Sequence, residues 1–148
     1  MMVLWAAVFF STFIMPVAAE SIETKAFRLE FDSPRYVHLA DSVLSDAASR
    51  LQLLLNDSLD YKPEVYLVAD LNRFQALIGG GFPDWGAAAA IPHKKRIVIK
   101  SPDHFNLNRS IEELLAHEYS HLALAHRTGL GSAPRWFEEG LAMMVSRE

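Results

Sequence analysis

The order of its patterned segments predicts an α+β fold for this 148-residue chain: a small mixed sheet, one long packing helix and two further helices toward the C-terminus. Three observations carry that expectation. Short apolar or alternating runs of strand type recur before position 101. A segment between positions 36 and 55 repeats apolar residues at helical spacing. Beyond position 110 the periodicity is helical, broken at Thr128-Gly129.

The elements follow in chain order. Residues 1–19 carry no charged side chain and end in Val17-Ala18-Ala19, small residues suited to signal-peptidase cleavage before Glu20. They read as a secretory signal; an uncleaved membrane anchor is the alternative, with association through this segment. Either reading places the remainder, 20–148, outside the cytoplasm, secreted or periplasmic. Phe27-Arg28-Leu29-Glu30-Phe31 alternates as a strand does. Asp32-Ser33-Pro34 then starts a helix whose apolar positions include Leu39, Ala40, Val43, Leu44, Ala47 and Leu51. A second strand is expected over 63–68 and a short helix over 72–78. Gly79-Gly80-Gly81-Phe82-Pro83 breaks that helix. It reads as a surface loop or as a segment on the rim of a cleft. It is not a phosphate loop, because the Lys-Ser/Thr element is missing.

Two more strands are expected over 87–91 and 96–100, joined by Pro92-His93-Lys94-Lys95. The basic flanks of Arg96-Ile97-Val98-Ile99-Lys100 suggest an edge strand, either ordinary or able to pair with an extended peptide. Ser110-Ile111-Glu112-Glu113 forms a capping box opening a helix over 110–127. A last helix begins near Pro134, with Ser132 as a plausible cap and Phe137, Leu141, Met144 and Val145 as its apolar stripe.

Composition narrows the function. A hydrophobic fraction of 51% supports one packed core, and a net charge of −4 leaves no basic footprint for nucleic acid. There is no cysteine, so neither disulfides nor thiolate ligands are available.

The chemistry concentrates in His117-Glu118-Tyr119-Ser120-His121. On a helix, residues four apart stack, so both imidazoles can address one ion. Glu118 lies about 100° round the helix, within reach of a water on that ion. Apolar residues flank the motif on both sides, which argues against a solvated helix face. A catalytic zinc takes three protein ligands, and here the third must be His, Asp or Glu. Glu138 and Glu139 on the last helix are the candidates, and spacing alone does not separate them. His126 falls roughly opposite His117 and is not expected to ligate. Glu113 is a cap or a partner of His117. His93 and His104 read as surface or turn residues, and His38 as a helix-face residue.

His117-Glu118-x-x-His121 followed by Pro134-x-Trp136-x-x-Glu139-Gly140-x-Ala142 resembles the gluzincin metallopeptidases, especially the small peptidase MA-like domains. The resemblance runs from about position 27 to the end; its specific part is 111–145. It implies a zincin-like fold whose C-terminal helix carries the third ligand. It further implies one Zn2+ per chain on His117, His121 and Glu139, with Glu118 as general base. The activity implied is hydrolysis of a peptide bond in a peptide or protein substrate. A metzincin arrangement is excluded, because Arg127 stands where its third histidine would be.

Related enzymes place a Tyr or His near the oxyanion, beyond the third ligand. This chain ends nine residues after Glu139, and Tyr119 lies on the wrong helix face. A truncated domain, an upstream substitute and weak hydrolysis are the three readings. The alternative function is therefore a weak or inactive zinc-binding module serving as a binding scaffold. The intact Glu118 favours the enzyme, and the short C-terminus the module.

Overall fold

The computed structural model describes residues 20–31, 33–83, 86–131 and 133–147. The signal or anchor reading of 1–19, with Asp32 and Ser132, lies outside the described residues. Among those described, no helix is long and apolar enough to cross a membrane.

The architecture is α+β. Strands β1 (Glu20–Glu23), β2 (Arg28–Phe31), β3 (Glu64–Val68), β4 (Ala88–Ile91) and β5 (Arg96–Lys100) form one mixed sheet in the order β1-β2-β3-β5-β4. The inner strands β2, β3 and β5 run parallel, and an antiparallel strand closes each side. Helices α1 (Val37–Leu55), α2 (Leu71–Ile78), α3 (Ile111–Arg127) and α4 (Arg135–Ser146) complete the described fold.

Strand alternation divides the sheet into two faces. Leu29, Phe31, Val65, Leu67, Ile97 and Ile99 meet α1 and α3 in the main core, where Leu44, Leu115 and Leu122 are fully buried. Val68, Ile91 and Val98 form a smaller cluster around Phe74 of α2. Asp70 caps α2 by accepting from the Arg73 N–H at 2.8 Å, and Gly79 ends it with φ 99°. Only residues free of a Cβ clash hold that left-handed conformation cheaply, which explains the stop.

The structure corrects several expectations. β5 is not an edge strand: it pairs with β3 on one side and β4 on the other. The edge on that side is β4, whose alanines carry little strand signal. Ile97-Val98-Ile99 is apolar without alternation because both its faces are covered. β1 was not expected; Ile22 is its only apolar side chain, and its place rests on backbone pairing with β2. Ser33 makes no side-chain cap; a 3₁₀ turn over Pro34–Tyr36 leads into α1 instead. The N-cap of α4 is Pro134, with no side-chain cap bond. On α4, Leu141, Ala142 and Val145 are buried whereas Phe137 and Met144 are exposed, so the buried stripe is rotated from the one expected.

The Ser110 capping box forms as expected. The Ser110 hydroxyl oxygen accepts from the Glu113 N–H at 3.1 Å, and a Glu113 carboxylate oxygen accepts from the Ser110 N–H at 3.0 Å. Packing nevertheless outweighs capping in holding α3. Ser110→Ala should cost about 1 kcal/mol and Leu115→Ala about 2–5 kcal/mol, measured by urea denaturation. Equal costs would contradict this division.

Candidate metal centre

α3 carries the two histidines across the surface where it meets α4. His117 is buried and His121 half-buried, with ring centroids 5.0 Å apart and planes at 68°. From α4, Glu139 places Oε2 3.6 Å from His117 Nε2. One ligand atom from each of His117, His121 and Glu139 lies within 4.8 Å of the others, and the three residues could hold a metal ion. A tetrahedral ion with bonds of about 2.0–2.2 Å separates its ligands by roughly 3.3–3.6 Å. The His117–Glu139 pair already has that spacing, and the nitrogen–carboxylate donor set suits a borderline divalent ion. The residues therefore fit a metal.

Glu139, not Glu138, stands with the histidines. Glu138 lines a neighbouring depression with His121, Leu124 and Leu130. Arg135 lies 3.8 Å from the other Glu139 oxygen, but it is almost fully exposed and holds the carboxylate only weakly.

Glu118 is adjacent to the triad and lines a cleft of about 430 Å³ with Ala88, Leu114 and Arg109. Burial pushes its carboxyl up to about 7, against the opposing pull of His117 and of a hydrogen bond from the backbone of Ala90 on β4. Burial, followed by the neighbouring His117, holds the His121 imidazole below its usual range. His121 is thus in the neutral form that ligates a metal at neutral pH.

Other expectations resolve plainly. Glu113 is engaged in the cap. His126 sits away from the triad, edge-on to Tyr61 and 3.8 Å from Asp60. Tyr119 is buried against Phe27, its hydroxyl pushed up to about 12 by burial, and it takes no part in the triad. His38, His93 and His104 are exposed. Phe82, after the glycine run, lines the cleft with Gly86, which places that loop on the rim.

Sequence reasoning missed two groups. Ala90 supplies a backbone donor to Glu118, and no side-chain pattern announces that. Arg109 reaches back over the first turn of α3 and brings Nη1 to 3.3 Å from His117 Nδ1. Its position just before the Ser110 cap was the one available signal. Comparison with family models, with curated proteins and with solved structures returns no match to this chain.

The raised Glu118 carboxyl has a consequence for folding. A group whose pKa is higher in the folded state is at no disadvantage below its unfolded value, 4.5, and destabilises the fold as pH rises through about 7. In metal-free protein, Glu118→Gln should be nearly neutral at pH 4.5 and stabilising by about 1–3 kcal/mol at pH 8. Chemical denaturation at the two pH values in the presence of chelator tests this. A variant less stable than the parent at pH 8 would contradict it.

Proposed function

We propose that this protein is a zinc-dependent metallopeptidase of gluzincin type, acting outside the cytoplasm. The observation that carries the reading is the approach of Glu139, from a separate helix, to the His117–His121 pair beside the cleft-lining Glu118. A purely structural site needs the three ligands but has no use for an adjacent carboxyl in a cleft. The apolar, uncharged 1–19 segment supports the location.

His117, His121 and Glu139 would hold one zinc per chain. When bound, zinc acidifies a water and polarises a carbonyl, the Lewis-acid chemistry of hydrolysis. Glu118 accepts the water's proton on its carboxylate and returns it to the nitrogen of the departing amine. The backbone N–H of Ala90 orients that carboxylate, so the strand at the cleft edge also positions the base. An extended peptide laid along the outer edge of β4 would present its backbone to Glu118.

Metal content and hydrolysis test the reading together. The purified protein should carry about one zinc per chain, and Glu139→Ala should bind zinc roughly 10–100-fold or more weakly. Glu118→Gln should keep its zinc and lose hydrolysis of a casein or peptide-library substrate by at least about 10²–10⁴-fold. A zinc-loaded parent with no hydrolysis would favour the binding-module reading. A folded parent that takes up no zinc would remove both.

A further inference from the structure

The candidate metal centre has a depression on each side. Toward the start of α3 lies the cleft that holds Glu118. Toward the end of α3 lies a second pocket of about 420 Å³, walled by His121, Leu124 and Ala125, by Leu130 and by Glu138 of α4. Pro92 and His93, which directly follow β4, border it as well. A peptide on the outer edge of β4 would therefore pass from the cleft to this pocket. At about 3.3 Å per residue the strand spans only roughly 13 Å. The pocket thus receives a side chain within a few residues of the bond beside Glu118.

Its walls are apolar and it holds one carboxylate. Leu124 is buried, and Leu130 is 63% exposed. Leu130 stands in left-handed backbone at φ 64°, its N–H donating to the Ala125 carbonyl at 2.7 Å. The turn that ends α3 thereby fixes an apolar side chain at the pocket. Among the described lining residues Glu138 is the one acid, and none is a lysine or arginine. Arg135, on the same helix, lies against Glu139 instead. Among the described residues Glu138 makes no ion pair or side-chain hydrogen bond, although it is close enough to act electrostatically on His121. An acid in the first turn of α4 also favours the positive end of the helix, but that role needs no pocket.

We infer that this pocket receives the side chain of a substrate lysine or arginine, with Glu138 as the specificity-determining residue. This rests on the peptidase reading and narrows its substrate class to peptides or proteins with a basic residue close to the scissile bond. The aliphatic stem lies along Leu124, Ala125 and Leu130, and the cationic head meets the Glu138 carboxylate. An apolar side chain fills the same walls but leaves the carboxylate without a cation. Discrimination therefore comes from the head group.

Binding to the zinc-loaded full chain carrying Glu118→Gln tests this without turnover. The probes are acetyl-hexa-alanine amides with lysine or norleucine at one position, moved through all six. Norleucine is lysine without its ammonium group. By calorimetry, lysine at one or more positions should bind about tenfold or more tightly than norleucine there. Adding Glu138→Gln should erase that ratio while zinc content and melting temperature stay at parent values. Glu138→Lys should turn the preference at that position toward glutamate. Equal binding of lysine and norleucine at every position overturns the assignment, as does a lysine preference that survives Glu138→Gln. Loss of zinc, or equal weakening of both probes, would also overturn it and make Glu138 a support for His121. Cleavage by the chain with Glu118 intact separates the two ideas. Hydrolysis with no basic residue at a fixed distance from the cut removes the Glu138 role and keeps the peptidase, whereas Glu138-dependent lysine binding without hydrolysis does the reverse.

Discussion

The burial of α3 is the constraint on which the rest depends. A helix of 17 residues is marginal in water by itself, and its stability here comes from apolar packing. Leu115 and Leu122 are fully buried in the main core, with Leu114, Ala116 and Tyr119 nearly so. The helix contacts α1, α4 and the β4–β5 side of the sheet together. That fixes its rotation about its own axis. A slip of one residue would turn every side chain by about 100° and carry His117 and His121 away from Glu139. The phase of the hydrophobic core therefore sets the phase of the candidate metal centre.

The same burial shapes the charges. It raises the carboxyl of Glu118 and lowers the imidazole of His121, in each case because water is withheld from the ionised form. Opposite residue types are thus pushed toward neutrality by one cause. Ala90 and Arg109 work against it locally, as a hydrogen-bond donor and a cation close to Glu118. Both lie off the helix that bears the motif, so the environment of the base is assembled from β4 and from the approach to α3.

What was legible in the sequence follows from how local each cause is. The capping box at Ser110, the stop at Gly79 and the paired histidines of α3 are set within a few residues, and each stands where the sequence placed it. Strand order is not local. Basic flanks made Arg96–Lys100 resemble an edge, whereas its unbroken Ile97-Val98-Ile99 reflects cover on both faces. The edge beside it, β4, is written in alanines, which signal little. Glu138 and Glu139 could not be separated by spacing, because the choice depends on how α4 docks on α3. The docking also left Phe137 and Met144 outside the buried stripe. Arg109 was missed because its role comes from a side chain folding back on the helix it precedes.

Glu139 reaches the histidines from beyond a turn containing Gly129 at φ 62° and Leu130 at φ 64°. An ion held by all three would therefore close a loop in the chain as well as fill a coordination shell. In a sequence without cysteine, such a tie is the covalent-like crosslink the chemistry allows. Its entropic effect falls on the denatured ensemble, which loses the freedom to separate the two helices. Metal supply and resistance to unfolding would then be linked quantities.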